Sequence, residues 1–170
     1  MIRKNLSLIM LLTIKKALSS LLLLFTLSAF AETNNVSIVI HGGAGWFTGM
    51  AQEDIDGIKE ALEESANKGY EIMLEGGTSL DAVEEAIVIL EDNPLFNAGR
   101  GAVYTSEFKQ ELDASIMDGS DLNAGAAASV TNVKNPIRLA RHIMDNTKHV
   151  MFSSKGAERV AKEAGLDIVY

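Results

Sequence analysis

Pro94-Leu95-Phe96-Asn97-Ala98-Gly99-Arg100-Gly101-Ala102-Val103-Tyr104-Thr105, read together with His41-Gly42-Gly43-Ala44-Gly45, decides the fold of this 170-residue chain. Each stretch joins an apolar run to a glycine cluster, and a pair of helices separates them. Upstream of the first, Val36-Ser37-Ile38-Val39-Ile40 is β-branched and apolar and predicts a buried strand. Between the two, residues 52–75 repeat apolar side chains at helical spacing (Ile55, Ile58, Ala61, Leu62, Ala66, Tyr70, Ile72, Met73). Gly76-Gly77 ends that helix, because glycine accepts the positive φ that helix ends require. Thr78 or Ser79 caps a second helix with Leu80, Val83, Ala86, Ile87 and Leu90 on one face.

Past the quoted turn, the reading changes from helices to strands. A short strand is expected at Ala102–Thr105, and two more at Asp113–Met117 and Ala126–Val130, linked by the Asp118-Gly119-Ser120-Asp121 turn. Pro136 opens a helix reaching about Asn146, with Asn135 as its cap. His149–Phe152 predicts a last strand and Ser154–Ala164 a last helix. Strands joined by a hairpin and interleaved with helices indicate a layered α+β architecture.

The first 31 residues read as a leader. Arg3, Lys4, Lys15 and Lys16 precede the apolar Leu21–Leu27 stretch, and Ala29-Phe30-Ala31 gives the small-x-small pattern of a signal-peptidase site. The apolar run is too short to cross a hydrocarbon core of roughly 30 Å, so a cleaved signal peptide is expected rather than an anchor. Export to the periplasm or medium follows, with Glu32 as the mature N-terminus. The basic pair at Lys15 and Lys16 leaves either Met1 or Met10 as the start. The leader holds four of the 15 basic residues and no acidic one, so the remaining chain carries −12 rather than −8. Such a surface repels phosphate backbones and argues against nucleic acid as a partner. The absence of cysteine removes thiol nucleophiles, disulfides and thiolate metal sites.

Several residues invite chemical readings. Glycines after a strand let backbone N–H groups approach a ligand or an oxyanion, which Gly42 and Gly43 could do. A dinucleotide fingerprint fails there, since the third glycine position is Thr48. The His-Gly-Gly opening also suits an esterase oxyanion loop, but no Gly-x-Ser-x-Gly elbow occurs in the chain. The Leu90–Arg100 loop must find partners for its carbonyls, and either a hard cation or water and neighbouring backbone would serve. Asp113 and Asp118 flank a strand and turn, where two carboxylates could act as acid and base or simply bond the loops. His142, beside Arg138 and Arg141, and His149 are expected to be surface or structural groups, since lone histidines make no metal site.

Taken in order, His41–Gly45, Pro94–Gly99, Leu112-Asp113-Ala114, Met117-Asp118-Gly119, Ala124-Gly125-Ala126 and Asn135-Pro136 resemble the isoaspartyl peptidase/L-asparaginase family of threonine N-terminal-nucleophile hydrolases. The resemblance covers about residues 36–165. It implies a four-layer αββα sandwich whose precursor cuts itself into α and β segments, assembling as (αβ)2. The freed threonine would hydrolyse L-asparagine or β-aspartyl dipeptides without a catalytic cofactor. It also implies that Gly42, Gly43 and Asn97 support the active site. A structural sodium would sit on the backbone carbonyls of Leu90, Glu91, Asn93, Phe96, Ala98 and Arg100. Asp113 and Asp118 become structural.

No threonine here stands where that family places its nucleophile. The Gly77-Thr78 pair opens a helix, and Thr105 and Thr131 lack a preceding glycine. Residues 32–170 are therefore expected to form an α segment without a catalytic residue of its own. It would be inactive alone and incomplete without its β segment. A non-catalytic remnant or partner-binding fragment is the alternative.

Overall fold

The computed structural model describes residues 35–45 and 47–169; the expected leader and its cleavage site lie outside them. Helix α1 spans Gln52–Leu74, with Glu53 and Asp54 in its first turn, where carboxylates favour the positive end of the helix dipole. It closes at Gly76, whose φ is +88°: the Gly77 N–H reaches the Ile72 carbonyl (2.8 Å) and the Gly76 N–H that of Met73 (3.1 Å). These two bonds form a Schellman end. Helix α2, Ser79–Asp92, begins with a reciprocal capping box in which Thr78 Oγ1 accepts from the Asp81 N–H and Asp81 Oδ2 accepts from that of Thr78.

The two helices fold back on one another through small residues. Ala61, Ser65 and Gly69 recur every four positions on the buried face of α1 and meet Ala82 and Ala86 of α2. The backbones are so close that Ser65 Oγ donates to the Ala86 carbonyl at 2.8 Å. A Cβ on Gly69 would lie 3.0 Å from the Ala82 carbonyl oxygen.

Strands β1 (Leu112–Met117) and β2 (Ala124–Val130) pair antiparallel, with Ile116 opposite Gly125 and an irregularity between Leu112 and Ala114. Helix α3 (Pro136–Asn146) then crosses to β3 (Met151–Ser153), which lies parallel to β2, and helix α4 (Ser154–Glu163) follows directly. The sheet order is β1-β2-β3. Gly125 makes the contact between sheet and α3 possible, since a Cβ there would collide with the Ala140 carbonyl. Val130, Leu139, Ile143, Ala157 and Ala161 form one core between β2, α3 and α4, and Ile116, Ile137 and Ala140 form a second beneath Val83 and Ile87 of α2. Arg138 and Arg141 of α3 reach Glu84, Glu85 and Asp81 of α2 and fasten the two helices at their rim.

The α+β class and the order of the helices and of these three strands follow the sequence reading. Two expected strands do not form. Val36–Ile40 alternates half-buried and exposed residues, with Ile38 against Gly69 and Ile40 against the Phe96 cluster, but pairs with no strand among the described residues. β-Branched residues favour an extended path, yet a strand also needs a hydrogen-bonded neighbour. Ala102–Thr105 makes only a single bridge, Tyr104 to Gln110, because the chain turns back at Thr105–Lys109 too soon for a ladder. The last strand starts at Met151 rather than His149. Asn135 occupies the cap position of α3, but its side chain makes no cap bond.

Candidate active site

Two loops with opposite needs build the cleft. The His41–Gly45 loop turns on Gly43, whose φ of +103° excludes most side chains, and the Gly43 N–H donates to His41 Nδ1 at 3.1 Å. That bond makes Nδ1 an acceptor and leaves any proton of the neutral ring on Nε2. Gly42 packs beneath: a Cβ there would approach Leu62 Cδ2 to 2.9 Å and Phe96 Cε1 to 3.3 Å. Opposite stands the Leu95–Ala98 turn, held by Phe96, whose ring is buried against Ala61 and Leu90. Together they line a cleft of about 490 Å³, with Met50, Ile58 and Leu90 as its apolar wall. Asn97 lines it too. Its Oδ1 accepts from the Val103 N–H (3.0 Å), and among the described residues its Nδ2 has no partner, so an amide donor remains for a ligand.

Behind this turn, the carbonyls of residues 90–100 fall into two groups. Those of Leu90, Asn93 and Ala98 each accept a backbone N–H, from Asn93, Phe96 and Gly101. Among the described residues no hydrogen bond reaches those of Glu91, Phe96 and Arg100. Glycines allow the chain to pass directly against two of them. Gly99 has φ +48°, and a Cβ on it would strike the Glu91 carbonyl, while one on Gly101 would strike those of Phe96 and Pro94. Three neutral carbonyl oxygens left without a donor in one short loop suit a hard cation, which takes oxygen ligands. Among the described residues no group of three His, Asp or Glu side chains could hold a metal ion.

The Glu91 side chain faces the other way. It is 3 % exposed, and its Oε1 accepts from the Ile137 N–H at the start of α3 (3.0 Å). Burial raises its pKa to about 7, against the pull of the Ile137 N–H and Asn135. Its Oε2 is buried without a partner. Glu158 shows the opposite balance: burial would raise it, but Lys155 and Thr131 outweigh that and hold it below the usual carboxylate range.

The remaining candidates stand apart from the cleft. Asp113 Oδ1 accepts from the Ser129 N–H of β2 (2.7 Å) and Asp118 Oδ1 from that of Ser120 in the hairpin turn (2.8 Å), so each carboxylate bonds local backbone. Hydrogen bonds to the Ser120 backbone and side chain hold Asp118 below its ordinary pKa. His142 lies beside Asn146 on α3, and His149 sets its ring edge-on to Phe152. The hydroxyls of Thr78, Thr105 and Thr131 are engaged away from the cleft. Thr78 caps α2, Thr105 accepts from Glu107 and Lys109, and Thr131 donates to Glu158 at 2.7 Å.

A sequence profile described as Asparaginase matches residues 34–170. The chain belongs to the asparaginase family. It is 48 % identical over 130 residues to the plant-type L-asparaginase of Pyrococcus furiosus, covering 76 % of this chain and 42 % of that protein. Against the isoaspartyl peptidase/L-asparaginase of Xenopus laevis the identity is 42 % over 130 residues, covering 76 % of this chain and 41 % of that one. Against its namesake from Bos taurus it is 40 % over 135 residues, covering 79 % and 43 %. This asparaginase-family chain thus spans less than half the length of the curated relatives it matches. Family membership removes the esterase alternative.

Sequence reading missed the Glu91 side chain as a structural group of this asparaginase-family fold. A signal was present, since Glu91 lies four residues after Ile87 and so falls on the apolar face of α2. The lining roles of Met50 and Ile58 had no such signal, because they depend on how α1 meets the glycine loop.

Proposed function

We propose that this chain supplies the α segment of an autoprocessing amidohydrolase that acts on L-asparagine, on β-aspartyl dipeptides, or on both. The nucleophile would be an N-terminal threonine from sequence outside these 170 residues. One observation carries this reading: the glycine loop and Asn97 converge on a cleft of about 490 Å³ that Thr78, Thr105 and Thr131 do not line. A threonine entering there would use its own α-amine as base and attack the side-chain carbonyl, expelling ammonia or an amino acid. Asn97 Nδ2 and the Gly42 N–H are the donors this chain offers to that threonine or to the developing oxyanion, the Gly43 N–H being held by His41 Nδ1.

In the same reading a sodium ion would be held by the carbonyls of Leu90, Glu91, Asn93, Phe96, Ala98 and Arg100, supported by the three of them (Glu91, Phe96 and Arg100) that accept no hydrogen bond among the described residues. When bound, the ion would balance the converging carbonyl dipoles and stiffen the turn that carries Asn97. The exposed sheet face, including Ser115, Met117 and Met151, would receive a second sheet from the β segment. That completes a four-layer sandwich able to pair as (αβ)2. Export through a signal peptide cleaved after Ala31 belongs to the same proposal.

The test is to read the coding frame past codon 170 and to assay ammonia release from L-asparagine and aspartate release from β-aspartyl dipeptides. We expect the purified 170-residue chain to be inactive. A longer product continuing into Gly-Thr should cleave itself before that threonine and turn over substrate. Hydrolysis by the 170-residue chain alone would overturn the assignment of the nucleophile. A locus with no such continuation would favour a non-catalytic remnant.

A further inference from the structure

Glu91 sends its side chain and its main chain to different parts of the molecule. The carboxylate reaches Ile137, 46 positions away, and takes over the capping that Asn135 does not provide, since Asn135 Nδ2 donates instead to Asp92 Oδ1 at 3.1 Å. Asp92 also holds Lys134 Nζ at 3.1 Å, so two successive carboxylates grip residues 134–137. The Glu91 carbonyl, meanwhile, stands against Gly99 in the 90–100 loop, and the Glu91 Cβ would lie 2.8 Å from a Cβ added there. Side chain and carbonyl belong to one residue in the last turn of α2, so the contact with α3 and the loop carbonyl are carried by the same backbone. A group this buried would serve packing better as leucine, because burying an ionisable carboxyl is costly. The cap on α3 is what requires oxygen at this position.

We propose that Glu91 is a positioning residue whose carboxylate locks the N-terminus of α3 to the carbonyl loop 90–100, so that the loop grips a monovalent cation only while α3 is docked. This rests on the cation-binding reading of that loop. It is tested by thermal melts of the full chain at fixed pH, titrating sodium chloride against choline chloride at constant ionic strength. The variants are Glu91→Gln, Glu91→Ala and Glu91→Asp, with Thr78→Ala as a control that weakens α2 at a distance.

Sodium should raise the melting temperature of the wild type. Glu91→Gln, which keeps an acceptor for the Ile137 N–H, should retain that increment. Thr78→Ala should melt lower yet respond to sodium in full, whereas Glu91→Ala should lose at least half of the response. An undiminished response in Glu91→Ala would overturn the coupling and leave the cation loop standing. No response in the wild type would overturn the cation loop itself and the coupling with it. Should Glu91→Ala fail to fold, Glu91→Asp, one methylene too short to reach Ile137 unstrained, takes its place. A several-fold higher sodium midpoint supports the lock, and an unchanged midpoint refutes it.

Discussion

At Gly99 one methyl group separates a working loop from a broken one. The residue has φ +48° and faces the Glu91 carbonyl, so alanine meets both a backbone penalty and a collision. The left-handed conformation costs an L-residue about 1–2 kcal/mol before any contact is counted. Gly99→Ala should therefore lower the unfolding free energy by more than about 2 kcal/mol in a urea titration. Gly43 provides the contrast: its φ is +103°, but nothing lies within 4 Å of an added Cβ, so Gly43→Ala incurs the conformational cost alone. Equal losses at the two positions would show that the Glu91 carbonyl does not abut Gly99. These glycines were legible as turn residues in the sequence, because Gly and Asn cluster only where a chain must turn sharply. Their partners were not, since which carbonyl a glycine makes room for depends on atoms brought together by the fold.

Elements here depend on one another for their ends. Helix α2 caps itself through Thr78 and Asp81, three residues apart, and the sequence displays that box openly. Helix α3 receives its cap from Glu91 on α2, and no local reading of Asn135-Pro136 could reveal it. The same contact makes stability depend on pH. The Glu91 carboxyl has a pKa of about 7 in the fold against 4.5 when exposed, so the folded state binds its proton more tightly. Its contribution is fully present below pH 4.5 and is lost as pH rises through about 7. A shift of this size corresponds to about 3 kcal/mol. Glu91→Gln cannot ionise, so its stability relative to wild type should climb between pH 5 and pH 8, as urea melts across that range would record. A constant difference would mean that Glu91 titrates normally. Close packing of elements gives a second prediction. A Cβ on Gly125 would strike the Ala140 carbonyl and come within 2.6 Å of the Met144 nitrogen. Gly125→Ala should lift α3 from the sheet at a cost of about 1–3 kcal/mol.

Across the whole molecule, the two faces of the sheet are unequal. Helices α3 and α4 cover one, where Ala127 and Val130 are buried. On the other, Met117 and Met151 are each 55 % exposed, while Ala126 and Ala128 between them offer little side chain to shield the backbone. The alternating sequence announced a sheet with two sides, but which side would be covered was fixed by the helices that follow it. Val36–Ile40 likewise is patterned as a strand yet unpaired among the described residues. A strand in waiting and a bare sheet face are both accounted for if a second segment completes the fold. That account makes a joint prediction. In the 170-residue chain, the amides of residues 36–40 should exchange with deuterium far faster than those of 126–130, which β1 and β3 flank. Met117 and Met151 should be oxidised by peroxide much faster than the half-buried Met144, since oxidation follows exposure. In a product that carries the complementary segment, both differences should shrink together, because one added layer would pair residues 36–40 and cover the face. Protection of residues 36–40 without protection of the two methionines would mean that the added segment extends the sheet but does not stack upon it, and the four-layer sandwich would have to be abandoned.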